Sequence, residues 1–187
     1  MIKVILSGII AGVALFVWGV VAHTATPLGT MGMSSHPHES MLLPAIQQTT
    51  TAPGLYFFPG MDETKKPTRE EEVAWVERYR TGPHGILVVG PFGEEPLGPS
   101  RFMAELLANV VTGVLVAFLL GRFATGLGSF VTGGMLVFLI GWTSLSVPYW
   151  NWYGFPPLFT AAELIDQLVG GAMVGLVIGL FLQSKRA

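Results

Sequence analysis

Apolar residues gather in four long blocks, and nearly every charge falls between them. Val4 to Ala22 (VILSGIIAGVALFVWGVVA) carries no charge and follows Lys3. Phe102 to Gly121 (FMAELLANVVTGVLVAFLLG) and Phe123 to Val147 are separated by the single charge Arg122. A last block continues as LVGGAMVGLVIGLFLQ and is followed by Lys185 and Arg186. A helix rises about 1.5 Å per residue, so about 20 apolar residues cross the roughly 30 Å bilayer core. The pattern predicts transmembrane helices over 1–23, 102–121, 124–147 and 162–183. The fold class expected is an all-α membrane protein, a four-helix transmembrane bundle. The first block exceeds the roughly 7–15 residues of a signal-peptide core and holds a Gly8-x-x-x-Gly12 pair, so it reads as a retained helix.

Residues 24–100 break this pattern. They are polar and rich in Pro and Gly, and they predict a small mixed α/β cap outside the membrane, between the first two spans. Leu55 to Phe58 before Pro59-Gly60, and Ile86 to Val89 between Gly85 and Gly90, read as short strands. Between them Thr68 and Glu71 have the spacing of a capping box, opening a helix that Gly82-Pro83 stops; Val73, Ala74, Val76 and Tyr79 are its expected apolar face. A short helix is expected around Met41 to Thr50, where Pro44 interrupts or starts it. Residues 146–160, SVPYWNWYGFPPLFT, read as an aromatic loop, with the last helix beginning at Ala161.

Basic residues near span ends set orientation. Lys3, Arg122, Lys185 and Arg186 fall on one side of a four-span arrangement, which places both termini in the cytoplasm and the cap and aromatic loop outside. The compact loops suggest a bacterial inner membrane.

Polar residues then become informative by position. His23 ends the first span, Glu105 and Asn109 open the second, and Glu163, Asp166 and Gln167 open the fourth. Glu105, Asn109 and Thr112 share one helical face, as do Glu163, Gln167 and Gly171. Ionisable groups at membrane depth are costly and face a bundle interior or water. One reading makes His23, Glu105 and Asp166 a metal or proton site; the other has the carboxylates reach water, pair with Arg101, or join helices by hydrogen bonds of about 0.6 kcal/mol each. His36, His38 and Glu39 form a short donor cluster that also reads as a solvated loop, and His84 in TGPHG reads as a turn residue. Gly171, Gly175 and Gly179 recur every fourth residue. With Gly8 and Gly12 they predict contact between the first and last spans, or a contact with another chain. Val174, about 100° around from Gly175, is expected to tolerate Leu. Tyr149, Trp150, Trp152 and Tyr153 suit a partner, quinone or pigment, or else an aromatic belt at the headgroups.

Composition narrows the classes. Of 187 residues 51% are hydrophobic and 12% charged, against about a quarter charged in a soluble domain. A net charge of −2 with no basic block argues against nucleic acid. The chain has no cysteine, which excludes disulfides and thiolate chemistry in it. No Walker, dinucleotide, zincin or Ser-His-Asp pattern supports catalysis, and no motif assigns a cofactor.

The run FVWGVVAH with a following PLG, the later GLYFFPG, the TGPHGILV segment and the E-x-x-x-N opening of the second span carry a resemblance. The chain resembles a group of small uncharacterised bacterial inner-membrane proteins, and that resemblance implies no activity or ligand. The function expected from sequence is therefore non-enzymatic: an accessory or assembly subunit of a larger membrane complex, partnered by the bilayer and by other subunits or copies of itself. The alternative is a small binding or transport protein using the polar cluster for a metal ion, proton or small solute.

Overall fold

The computed structural model describes residues 1–183; Lys185 and Arg186, used above for orientation, lie outside the described residues. The chain divides into two compact units. The first comprises Met1–Ser34, Pro96–Trp150 and the chain from Phe155 on. Four long helices make it: α1 (Ile2–Ala25), α4 (Pro99–Phe123), α5 (Leu127–Tyr153) and α6 (Pro157–Leu182). All four are long and apolar enough to cross a membrane. At 24 to 27 residues they measure about 36–40 Å.

Small residues set how closely these helices approach. A Cβ built on Gly8 would stand 2.5 Å from Val114 Cα, and one on Gly12 would stand 2.5 Å from Asn109 O. The α1 and α4 backbones are therefore in direct contact, and Ser7 and Ala11 are wholly buried beside them. Ser7 satisfies its hydroxyl by donating to Val4 O at 2.9 Å, as a buried polar group must. A second seam joins α5 and α6: a Cβ on Gly134 would strike Gly171 O, and one on Gly175 would strike Phe130 O.

The two glycine sets thus serve different helix pairs. The expectation that Gly8 and Gly12 face Gly171, Gly175 and Gly179 is corrected, since each set meets its own antiparallel neighbour. Helices α1 and α6 do meet, but through side chains: Leu15 Cδ1 lies 2.9 Å, and Trp18 Cδ1 3.6 Å, from where a Gly170 Cβ would be. Val174 and Ile178 are completely buried, so the expected tolerance of Leu at 174 is also corrected. A helix packed on two sides buries more than its glycine stripe.

A Cβ on Gly121 would lie 3.5 Å from Leu182 Cδ1 and 3.8 Å from Val4 Cγ2. The start of α1 and the ends of α4 and α6 therefore share one end of the bundle, which brings Lys3 and Arg122 together there. The polar residues His23, Glu105 and Asp166 lie toward the other end.

Two boundaries differ from expectation. Residues 146–153 are helical, with Pro148 inside α5, because a proline removes one backbone bond without stopping a helix held elsewhere by packing. Helix α6 opens at Pro157 instead of Ala161, with proline at its first turn, where the missing N–H costs nothing.

The second unit, Ser35–Glu95 with Asn151–Gly154, contains α2 (Glu39–Thr49), β1 (Gly54–Phe58), α3 (Arg69–Thr81) and β2 (Gly85–Val89). The strands pair antiparallel, Tyr56 opposite Leu87. Both halves of the Thr68–Glu71 capping box form. Helix α3 turns Trp75 and Tyr79 inward; of the face expected for it Tyr79 holds, while Val73, Ala74 and Val76 stay exposed and are corrected. Trp75 Nε1 donates to Pro59 O at 2.7 Å, and Tyr79 stacks on His84 at 4.1 Å. Pro44 lies within α2.

Candidate functional site

Helices α1, α4 and α6 leave between them, at the end away from Lys3 and Arg122, a cavity of about 850 Å3. Helix α1 supplies Trp18, Gly19, His23 and Thr24; α4 supplies Phe102, Glu105, Asn109 and Thr112; α6 supplies Asp166 and Gln167. Leu15, Phe16, Val20, Leu97 and Phe138 complete the wall.

Helical spacing explains the convergence. Glu105, Asn109 and Thr112 recur at four and three residues and present one face of α4. Asn109 Nδ2 donates to Glu105 Oε1 at 3.1 Å, which fixes the carboxylate on that face. On α6, Asp166 is held from across the cavity: Trp18 Nε1 donates to Asp166 Oδ1 at 2.7 Å, and His23 Nε2 stands 4.0 Å from Asp166 Oδ2. The Asp166 side chain is 19% exposed, that of His23 51%. Glu163, one turn before Asp166, is half-buried and lies within electrostatic reach of both Asp166 and His23, but it does not line the cavity.

The polar residues singled out from sequence are thus sorted. His23, Glu105, Asn109 and Asp166 line one cavity, Glu163 stands beside it, and Thr112 and Gln167 join the wall. Trp18 and Gly19 were not anticipated. Trp18 had a signal, an indole N–H inside an apolar run, because a buried indole needs an acceptor. A Cβ on Gly19 would meet nothing within 4 Å, so this glycine leaves room in the cavity and closes no helix seam.

Among the described residues no three His, Cys, Asp or Glu side chains are placed to hold a metal ion. This corrects the reading of His23, Glu105 and Asp166 as a ligand set: Asp166 is directed to Trp18 and Glu105 to Asn109. It also removes His36, His38 and Glu39, where His38 N–H donates to His36 Nδ1 at 3.1 Å.

The aromatic residues lie elsewhere. Tyr149, Trp150, Trp152 and Tyr153 are on the last turns of α5 and all exposed, Trp152 most at 70%. Tyr149 stacks on Phe155 at 5.3 Å, and Phe155 meets Phe159 at 5.5 Å.

In the second unit a smaller cleft is lined by Asp62, Lys65, Glu71 and Arg78 among others. These groups have partners within the unit. Lys65 Nζ donates to Glu71 Oε1 at 2.8 Å, and Thr64 donates from both its hydroxyl and its backbone N–H to Asp62 Oδ1. The Thr64 hydroxyl, then the Thr64 N–H, holds the Asp62 carboxyl below its ordinary range.

Set against protein-family models, curated proteins and solved structures, the chain matches none of them.

Proposed function

We propose that the chain is a multi-pass protein of a bacterial inner membrane that binds a small solute in the cavity between α1, α4 and α6. Its surface supports the membrane part. Ile2, Leu6, Val17, Leu107, Leu115, Leu136, Ile140 and Leu180 are exposed on the four long helices, an arrangement that water disfavours and lipid accepts. Lipid gives helices no hydrophobic reason to associate, so close backbone packing has to hold them, and the seams at Gly8, Gly12, Gly134 and Gly175 supply it. Lys3 and Arg122 at one end make that end cytoplasmic, which puts both termini inside and opens the cavity toward the periplasm.

The observation that carries the binding reading is the cavity itself. Its volume falls within the roughly 300–1,000 Å3 of small-molecule sites, and it combines aromatic walls with a few convergent polar groups. The role is binding or passage of a solute.

Gly19→Leu provides the test, because a side chain at 19 enters the cavity without meeting backbone. Native mass spectrometry of the detergent-purified protein is expected to show a small-molecule adduct on the wild type that Gly19→Leu loses. Protein companions at fixed stoichiometry, with no adduct on either form, would instead support the accessory-subunit role.

A further inference from the structure

We infer that the solute is an amphipathic organic cation, an ammonium or similar onium group carrying apolar substituents; this rests on the binding role proposed for the cavity. Charge is the first argument. Glu105 and Asp166 enter the cavity from different helices, and among the described residues lining it none is Lys or Arg. His23 is the one basic side chain in the lining, and it stands 4.0 Å from Asp166. Acidic side chains on two walls, with no Lys or Arg in the lining, favour an occupant that carries positive charge.

The walls give the second argument. Phe16, Trp18, Phe102 and Phe138 contribute rings, whose faces attract cations with spread charge and whose area covers apolar substituents. A small hydrated inorganic cation would forgo that surface, and no three-ligand group awaits it among the described residues.

The polar groups give the third. Trp18 occupies Asp166 Oδ1 and Asn109 occupies Glu105 Oε1. Each carboxylate is therefore oriented by a neutral donor that leaves its negative charge in place. An arginine or lysine in either position would have neutralised it.

Tetraphenylphosphonium and tetraphenylborate test this, since they share size and apolar surface and differ in sign. Isothermal titration of the purified full chain in an uncharged detergent is expected to show saturable binding of the phosphonium and none of the borate. Asp166→Asn keeps the acceptor for Trp18 and should weaken phosphonium binding about tenfold or more; Gly19→Leu should abolish it. If both ions bind and Gly19→Leu abolishes both, the cavity binds solutes but the cation assignment is overturned. If neither ion binds a protein whose melting transition is intact, the binding role falls with it. A lipid headgroup and a free amine share this chemistry. Repeating the titration in phosphatidylethanolamine and phosphatidylglycerol nanodiscs separates them: competition in the former alone makes the headgroup the occupant, and equal affinity in both makes it a free amine.

Discussion

Trp18 Nε1 donates to Asp166 Oδ1 at 2.7 Å across 148 residues of sequence. The bond ties α1 to α6 at the cavity wall, beside the packing of Leu15 against Gly170. A neutral donor on a carboxylate contributes about 1.5–3 kcal/mol. Trp18→Phe keeps a ring and deletes the donor, so a loss of that order is expected in a thermal melt in detergent, and Asp166→Asn, which keeps an acceptor, should lose less. Equal melting of Trp18→Phe and wild type would show that the bond contributes nothing to stability.

The helix seams make a sharper mutational contrast than their spacing suggests. Gly12→Leu and Gly175→Leu insert side chains where even a Cβ meets the backbone of α4 or α5, and overpacking of this kind costs about 1–3 kcal/mol or more. A Cβ at Gly19 or Gly141 would meet nothing within 4 Å, so Gly19→Leu and Gly141→Ala should be neutral, or gain up to about 1 kcal/mol from helix propensity. Melting temperatures of the four variants check this; a Gly19→Leu as damaging as Gly12→Leu would contradict the cavity.

How much of this was legible in the sequence depends on which interactions each feature needs. Four helices were readable because long, nearly uncharged apolar runs leave a backbone few other choices. The facing of Glu105, Asn109 and Thr112 was readable because helical period fixes a face. Which neighbour that face meets is a tertiary fact: Gly8 and Gly12 meet Asn109 to Val114, and Gly171 and Gly175 meet Phe130 and Gly134, partners that spacing alone does not name. Asp166 was found, while its donor Trp18 was hidden in an apolar run where aromatic residues usually only pack. The stretch 146–153 read as a loop, yet Pro148 is carried inside α5, where packing outweighs one lost backbone bond. Pro157, at a first turn, was a start signal passed over.

The second unit yields a pH prediction. Hydrogen bonds from Lys65, and then from the Thr68 N–H, hold the Glu71 carboxyl below its ordinary range. A carboxylate depressed in the folded state adds stability above its unfolded pKa, and that stability is lost as pH falls through the folded pKa. Amide protection in α3, measured relative to the intrinsic exchange rate at each pH, should therefore fall on acidification through and below the usual carboxylate range, and Glu71→Gln should flatten that dependence. Thr68→Ala removes the other half of the box at a cost of about 0.5–2 kcal/mol. Protection of α3 that is indifferent to pH would contradict the role of Glu71.

A four-span bundle whose cavity opens on the side opposite Lys3 and Arg122 predicts a definite labelling pattern. The chain has no cysteine, so Gly19→Cys places a single thiol in the cavity, and Thr125→Cys places one in the turn between α4 and α5, at an exposed position. A membrane-impermeant maleimide applied to intact spheroplasts should label Gly19→Cys and spare Thr125→Cys until the membrane is permeabilised. Labelling of Thr125→Cys alone before permeabilisation, or a Gly19→Cys that stays unreactive even afterwards, would contradict it.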